Sequence, residues 1–129
     1  MENKTILVIE DDAMNMKLVR ALLTIGGYHI LEAVDAEAGI RLAEENRPDL
    51  ILVDIQLPGM DGLTATRIIR KTTALQDIAV VALSSYAMQG DEKKAEEAGC
   101  AGYITKPINT REFIETITHY LCLGERDVR

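Results

Sequence analysis

Tryptophan is absent from this 129-residue chain, phenylalanine occurs once and tyrosine four times. So few rings argue against a flavin-stacking site and against a base-stacking platform for single-stranded nucleic acid. The two cysteines, Cys100 and Cys122, have no metal-ligand spacing, so the chain reads as a reduced, cytoplasmic protein with ordinary thiols. There is no basic excess either. A formal net charge of −7 argues against nucleic acid or an anionic membrane surface as the main partner. Met1 to Thr5 lead straight into an apolar strand without a signal peptide, and no apolar run is long enough to span a bilayer. With no low-complexity segment and no linker, residues 1–129 are expected to form one domain with no output domain.

What the chain does have is a set of short apolar runs that each stop at polar residues. The central one is Leu50 to Val53, which ends in Asp54 and the turn-forming stretch Ile55-Gln56-Leu57-Pro58-Gly59-Met60-Asp61-Gly62. A run of this length and branching reads as a parallel strand buried on both faces. Ile6 to Ile9 is a second such strand, ending in Glu10-Asp11-Asp12, and Ile78 to Leu83 a third, ending in Ser84-Ser85-Tyr86. Tyr28 to Val34 is less apolar and suits an edge. Gly102 to Thr105 is short and closes in Lys106-Pro107.

Helical patterns lie between the strands. Met14, Leu18, Ala21, Leu22 and Ile25 fall on one face of the first, and Gly26-Gly27 stops it. Asp35 is an N-cap for the second, with Ala36, Ile40 and Ala43 as its stripe. The third begins near Asp61-Gly62, with Leu63, Thr66 and Ile69 inward. The fourth, Ala87 to Ala98, has a thin stripe and contains Gly90, so its firm part is expected from Asp91. In the last, Asn109 and Glu112 have capping-box spacing, and Phe113, Ile114, Ile117, Tyr120 and Leu121 form the buried face, with a short charged tail after Gly124.

Alternating strands and helices predict an α/β fold: a five-stranded parallel sheet with helices on both faces and right-handed crossovers. The flavodoxin-like order 2-1-3-4-5 makes the most apolar strands central and sets the ends of strands one and three side by side.

Four strand ends then converge. Glu10, Asp11 and Asp54 would repel one another unless a cation joined them, and hard oxygen ligands suit Mg²⁺. Ser84 adds a hydroxyl and Lys106 a cation. Taken singly, an acidic pair after a strand favours the next helix N-terminus, a serine makes a turn and a lysine before proline is a solvated charge. Together, three carboxylates balanced by Mg²⁺ and Lys106 make a near-neutral receptacle for a phosphoryl group.

The motifs Val8-Ile9-Glu10-Asp11-Asp12, Val53 to Gly62, Ala82-Leu83-Ser84-Ser85 and Gly102-Tyr103-Ile104-Thr105-Lys106-Pro107 resemble, in order and spacing, those of two-component response regulator receiver domains. The likeness spans about Ile6 to Leu121. Met14 to Leu18 and Ala87 to Glu92 are similar to the subset of DivK-like single-domain regulators and hybrid-kinase receivers.

The resemblance implies that Asp54 accepts a phosphoryl group from a phosphohistidine. It implies that Glu10, Asp11, Asp54 and the Gln56 backbone carbonyl hold Mg²⁺, and that Ser84 and Lys106 contact the phosphoryl oxygens. Tyr103 would be the aromatic switch partner of Ser84, Gln56 and Tyr86 would tune the lifetime of the phosphorylated state, and the peptide before Pro107 would be cis. The implied partners are a histidine kinase or phosphotransfer protein and a downstream protein target, the latter on the face made by helix four, strand five and helix five. Beyond its own phosphorylation and dephosphorylation the domain would not be an enzyme. Departures from the family pattern are Glu10 in an otherwise Asp-Asp pair, Ser84 where threonine is commoner, and Ser85 where alanine is frequent.

A receiver domain excised from a hybrid histidine kinase is the alternative the same motifs allow, whereas two other chemistries fit less well. A Mg²⁺-dependent phosphatase of the haloacid-dehalogenase type needs an Asp nucleophile on strand one with a second Asp two residues on. Here position 10 is Glu and Asp11 is followed two on by Ala13. A flavodoxin-like cofactor binder needs a phosphate loop where Glu10-Asp11-Asp12 would repel the phosphate.

Overall fold

Five short strands pair in the order β2-β1-β3-β4-β5, all parallel: β1 (Thr5–Ile9), β2 (His29–Ala33), β3 (Leu50–Asp54), β4 (Ala79–Ser84) and β5 (Gly102–Thr105). The structure is a computed structural model and describes residues 4–84 and 91–127, with side chains described except at 91 and from 123 onward. Between the strands run α1 (Ala13–Ile25), α2 (Ala36–Asn46), α3 (Gly62–Lys71), α4 (Asp91–Ala98) and α5 (Phe113–Asp127), with a 3-10 turn over Thr73–Leu75. Among the described residues, no helix is long and apolar enough to cross a membrane.

The strand runs are apolar throughout because both faces of the sheet are covered. Leu7, Ile9, Ile51, Val53, Val80 and Ala82 face one side, where Ala36 and Ala43 of α2, Ala65 and Ile69 of α3, and Ala95 of α4 close over them. Ile6, Val8, Leu50, Leu52, Val81 and Leu83 face the other, under Met16, Val19 and Leu23 of α1 and Phe113, Ile117 and Leu121 of α5. The period-two alternation of a strand thus survives inside runs that look uniform as sequence.

Helix caps follow local chemistry. Asp12, Asp35 and Asp61 have extended backbone and accept from the amides of Met14, Ala38 and Thr64. The loop before α5 uses Asn109, whose Oδ1 accepts from Arg111 N at 3.0 Å and Glu112 N at 3.3 Å, so the cap stands a turn ahead of Phe113. At the end of α4, Gly99 takes φ 107°, the left-handed backbone that glycine adopts without penalty.

Three expectations need correction. The buried face of α1 is Met16, Val19 and Leu23, with Leu18 and Leu22 flanking it, whereas Met14 is 79 % and Ile25 81 % exposed and Ala21 is also exposed. The helix is apolar on more than one side, and only docking on the sheet selects among its stripes. In α2, Gly39 shares the buried stripe with Ala36 and Ala43, since Ile9 packs where a side chain would stand, and Ile40 is only half-buried. The third concerns the tail: α5 continues through Gly124 to Asp127. The expectations about Ser85, Tyr86 and the stretch 87–90 lie outside the described residues.

Candidate functional site

Glu10, Asp54, Ser84 and Lys106 each stand one step beyond, or at the last step of, a strand ladder, and Asp11 follows Glu10. Glu10 N donates to Ala33 O at 3.0 Å, Ile55 N to Leu83 O at 2.9 Å and Lys106 N to Ser84 O at 2.7 Å. These bonds extend the sheet register past its regular end, and the Ile55 bond anchors the backbone just after Asp54 to β4. In consequence Glu10, Asp54 and Ser84 are buried, at 1 %, 4 % and 1 % exposure, while Asp11 is exposed.

Lys106 joins the two buried acids. Its Nζ donates to Glu10 Oε1 at 2.7 Å and to Asp54 Oδ2 at 2.9 Å. Asp54 Oδ1 accepts from the Gln56 amide at 2.9 Å, so both oxygens of this carboxylate are engaged. Glu10 Oε2 accepts from Asp12 N at 3.3 Å. The Lys106–Pro107 peptide is cis, as the motif implied.

Burial pushes the Glu10 carboxyl up to about 7, reinforced by its hydrogen bond with Asp54 and opposed by Lys106. For Lys106, burial works against the charge, but hydrogen bonds and attraction from Glu10 and Asp54 outweigh it and hold the ammonium above its ordinary value. One cation therefore compensates two buried acids incompletely, and further positive charge is favoured there.

Glu10, Asp11 and Asp54 each offer an oxygen, and the three oxygens lie within 4.8 Å of one another. An ion bound at about 2.1 Å keeps even its opposed ligand oxygens within roughly 4.2 Å, so the trio needs little closing to fit Mg²⁺, whose hydration also allows one carboxylate to act through water. Hard carboxylate donors, residual negative charge and one exposed member open to solvent suit that ion.

The expected residues Glu10, Asp11, Asp54 and Lys106 are thus brought together. Ser84 occupies the end of β4, paired in register with Thr105, and Tyr103 is half-buried on β5 opposite Ala82. The Gln56 residue is exposed beside the acceptor, and Tyr86 lies outside the described residues. One residue at the site falls outside the expected set. Gly62 is buried against the Asp54 peptide, and the only signal in sequence is a glycine at the first position of a helix, where better helix formers abound.

An open parallel sheet whose central strand ends deliver an acidic pocket and a hydroxyl, and whose edge strand β5 delivers a lysine beside them, defines a signalling domain of the response regulator type. The family model described as response regulator receiver domain matches residues 6–118, and the chain belongs to that family. The polar-differentiation response regulator DivK of Brucella anthropi is 43 % identical over 118 residues, covering 92 % of this chain and 96 % of the relative. Its counterpart from Brucella ovis is 42 % identical over the same coverage. Among solved structures, the receiver domain of a sensor histidine kinase from Pseudomonas aeruginosa has a TM-score of 0.86 at 32 % identity, covering 93 % of this chain and 98 % of that one. It carries a magnesium ion coordinated in its active site cleft. A CheY-like receiver domain protein from Methanospirillum hungatei has a TM-score of 0.89 at 28 % identity, covering 98 % and 99 %. The chain is therefore a DivK-like receiver domain of a two-component response regulator.

Proposed function

We propose that this domain is a phosphoacceptor in which Asp54 takes a phosphoryl group from a phosphohistidine on a histidine kinase or phosphotransfer protein in the cytoplasm. The observation that carries this reading is the Lys106 ammonium lying between Asp54 and Glu10, in a pocket whose acids still outnumber its cation. An Asp54 oxygen forms a bond to phosphorus as the N–P bond breaks. The bonding pair stays on the imidazole nitrogen, which takes a proton from solvent.

Lys106 then moves from pairing acids to pairing a phosphoryl oxygen, and Ser84 donates to another. The Gln56 amide holds the acceptor carboxylate in line. When bound by Glu10, Asp11, Asp54 and the Gln56 carbonyl, Mg²⁺ neutralises charge on the transferring group. Outside this self-directed chemistry the domain has no catalytic role. Its output is the binding of a protein target at the face formed by α4, β5 and α5, gated by Ser84 and Tyr103. α4 suits a switch because it buries little more than Ala95 and Ala98. Direct contact with nucleic acid is no part of this output.

Incubation with acetyl phosphate and Mg²⁺ followed by intact-mass measurement tests the reading. Wild type should gain one phosphoryl group and Asp54→Asn none. A stable adduct on Asp54→Asn would remove Asp54 as acceptor.

A further inference from the structure

The peptide that carries the acceptor is itself a packing surface, and α3 starts on it. Gly62 N donates to Ile55 O at 2.9 Å, and Thr66 Oγ1 donates to Gly62 O at 2.8 Å, so Gly62 is tied on both sides of its α-carbon. A β-carbon there would stand 2.9 Å from the Asp54 carbonyl carbon and 2.9 Å from Ile55 Cα, and nearer still to the Asp54 carbonyl oxygen. Unbonded carbons settle at about 3.5–4.0 Å. These three nearest atoms are all backbone, so no change of rotamer relieves the contact with them. Nor is this glycine needed for an unusual dihedral, since the positive-φ glycines among the described residues are Gly27, Gly59 and Gly99. What requires glycine here is close approach.

We infer that Gly62 is a positioning residue for phosphoryl transfer: its missing side chain lets α3 seat directly on the Asp54–Ile55 peptide and so sets Asp54 and Gln56 against Glu10 and Asp11. The inference rests on the phosphoacceptor reading above. Glu10 and Lys106 come from other strands, so a displaced Asp54–Ile55 peptide moves the acceptor and the Gln56 amide relative to groups that stay in place.

Gly62→Ala tests this. Alanine is the better helix former, so α3 itself gains from the change and a loss at the site cannot come from a weaker helix. The expected result is Mg²⁺ affinity lowered about tenfold and a phosphorylation rate at saturating Mg²⁺ lowered about 10- to 100-fold, the range set by displacements of about 1 Å at a reacting centre. Gly27→Ala is the control. Gly27 has φ 83° with nothing within 4 Å of an added β-carbon, so the change strains the fold far from the pocket and should leave both quantities at wild-type values.

Wild-type Mg²⁺ affinity and rate in Gly62→Ala would overturn the inference, as would losses no larger than those of Gly27→Ala at matched urea stability. Should Gly62→Ala not fold, reciprocity gives a second reading in wild type. Mg²⁺ must slow hydrogen exchange at the Gly62 amide more than at the Gly27 amide, and equal slowing would overturn the inference. If wild type takes no phosphoryl group, the acceptor reading falls, while the Mg²⁺ affinity ratio still judges Gly62.

Discussion

Lys106 and Glu10 stand 96 residues apart in sequence, yet Nζ and Oε1 lie 2.7 Å apart at the end of the sheet. The pair is buried on both sides, and Asp54 shares the same ammonium. Removing one partner of such a group leaves uncompensated charge in a poor solvent. Lys106→Met should therefore destabilise the metal-free protein by about 3 kcal/mol at neutral pH, less where Glu10 takes up a proton instead. Mg²⁺ affinity should rise, because a competing cation is gone, and added Mg²⁺ should recover much of the stability. Urea titrations with and without Mg²⁺ measure both. Unchanged Mg²⁺ affinity would show that the ammonium does not compete with the ion.

The face of α1 makes a separate stability prediction. Leu23 is fully buried, and Leu23→Ala should cost about 2–5 kcal/mol. Met14→Ala and Ile25→Ala, on exposed positions, should each stay within about 0.5 kcal/mol. Equal costs at all three positions, read from urea midpoints, would reject the observed helix orientation.

The exposed pair of Arg20 on α1 and Glu32 on β2 gives a pH effect of definite sign. The hydrogen bond from Arg20 holds Glu32 below its usual value of 4.5, with burial opposing and charge attraction assisting. Above the unfolded value this contribution is fully present, and it is lost as pH falls through the lowered folded value. Glu32→Gln should flatten the acid limb of the stability curve below about pH 4.5 and change little near neutrality. Because the pair is exposed, added salt should shrink the difference. An unchanged acid limb in Glu32→Gln would mean that solvent satisfies Glu32 equally well.

Switching can be separated from phosphorylation. Ser84→Ala should still take a phosphoryl group on Asp54 but lose the response of α4 and β5, because the phosphorylated state no longer gains a contact from the end of β4. Amide shifts across Glu92–Ala98 and Tyr103 measure that response. Shifts as large as those of wild type would break the proposed link between Ser84 and Tyr103.

Much of this was legible in the chain. The wholly apolar runs marked strands one, three and four as central, which fits the flavodoxin-like order without dictating it, and Asp35 and Asp61 announced their helices through side-chain oxygens that cap nearby amides. Glu10, Asp54 and Lys106 were legible because a parallel sheet gathers its strand ends on one edge. The orientation of α1 was not, since Leu18, Leu22, Met14 and Ile25 make a helical stripe as regular as Met16, Val19 and Leu23. Periodicity records that stripes exist; burial against Val8 and Leu52 picks one. Gly62 stood at the end of the Val53 to Gly62 motif and at a helix start, but its role was not legible there. Its role lies in the approach of two backbones, which no side-chain pattern encodes.

Because the pocket's residues lie at strand ends far apart in sequence, the ribosome delivers the pocket in instalments. Glu10, Asp11 and Asp54 emerge first, and Lys106 follows only with the fifth strand. A chain halted between them holds the acids without the lysine. A half-made chain thus cannot present the assembled pocket, which is complete only when translation has passed Lys106 and β5 has docked.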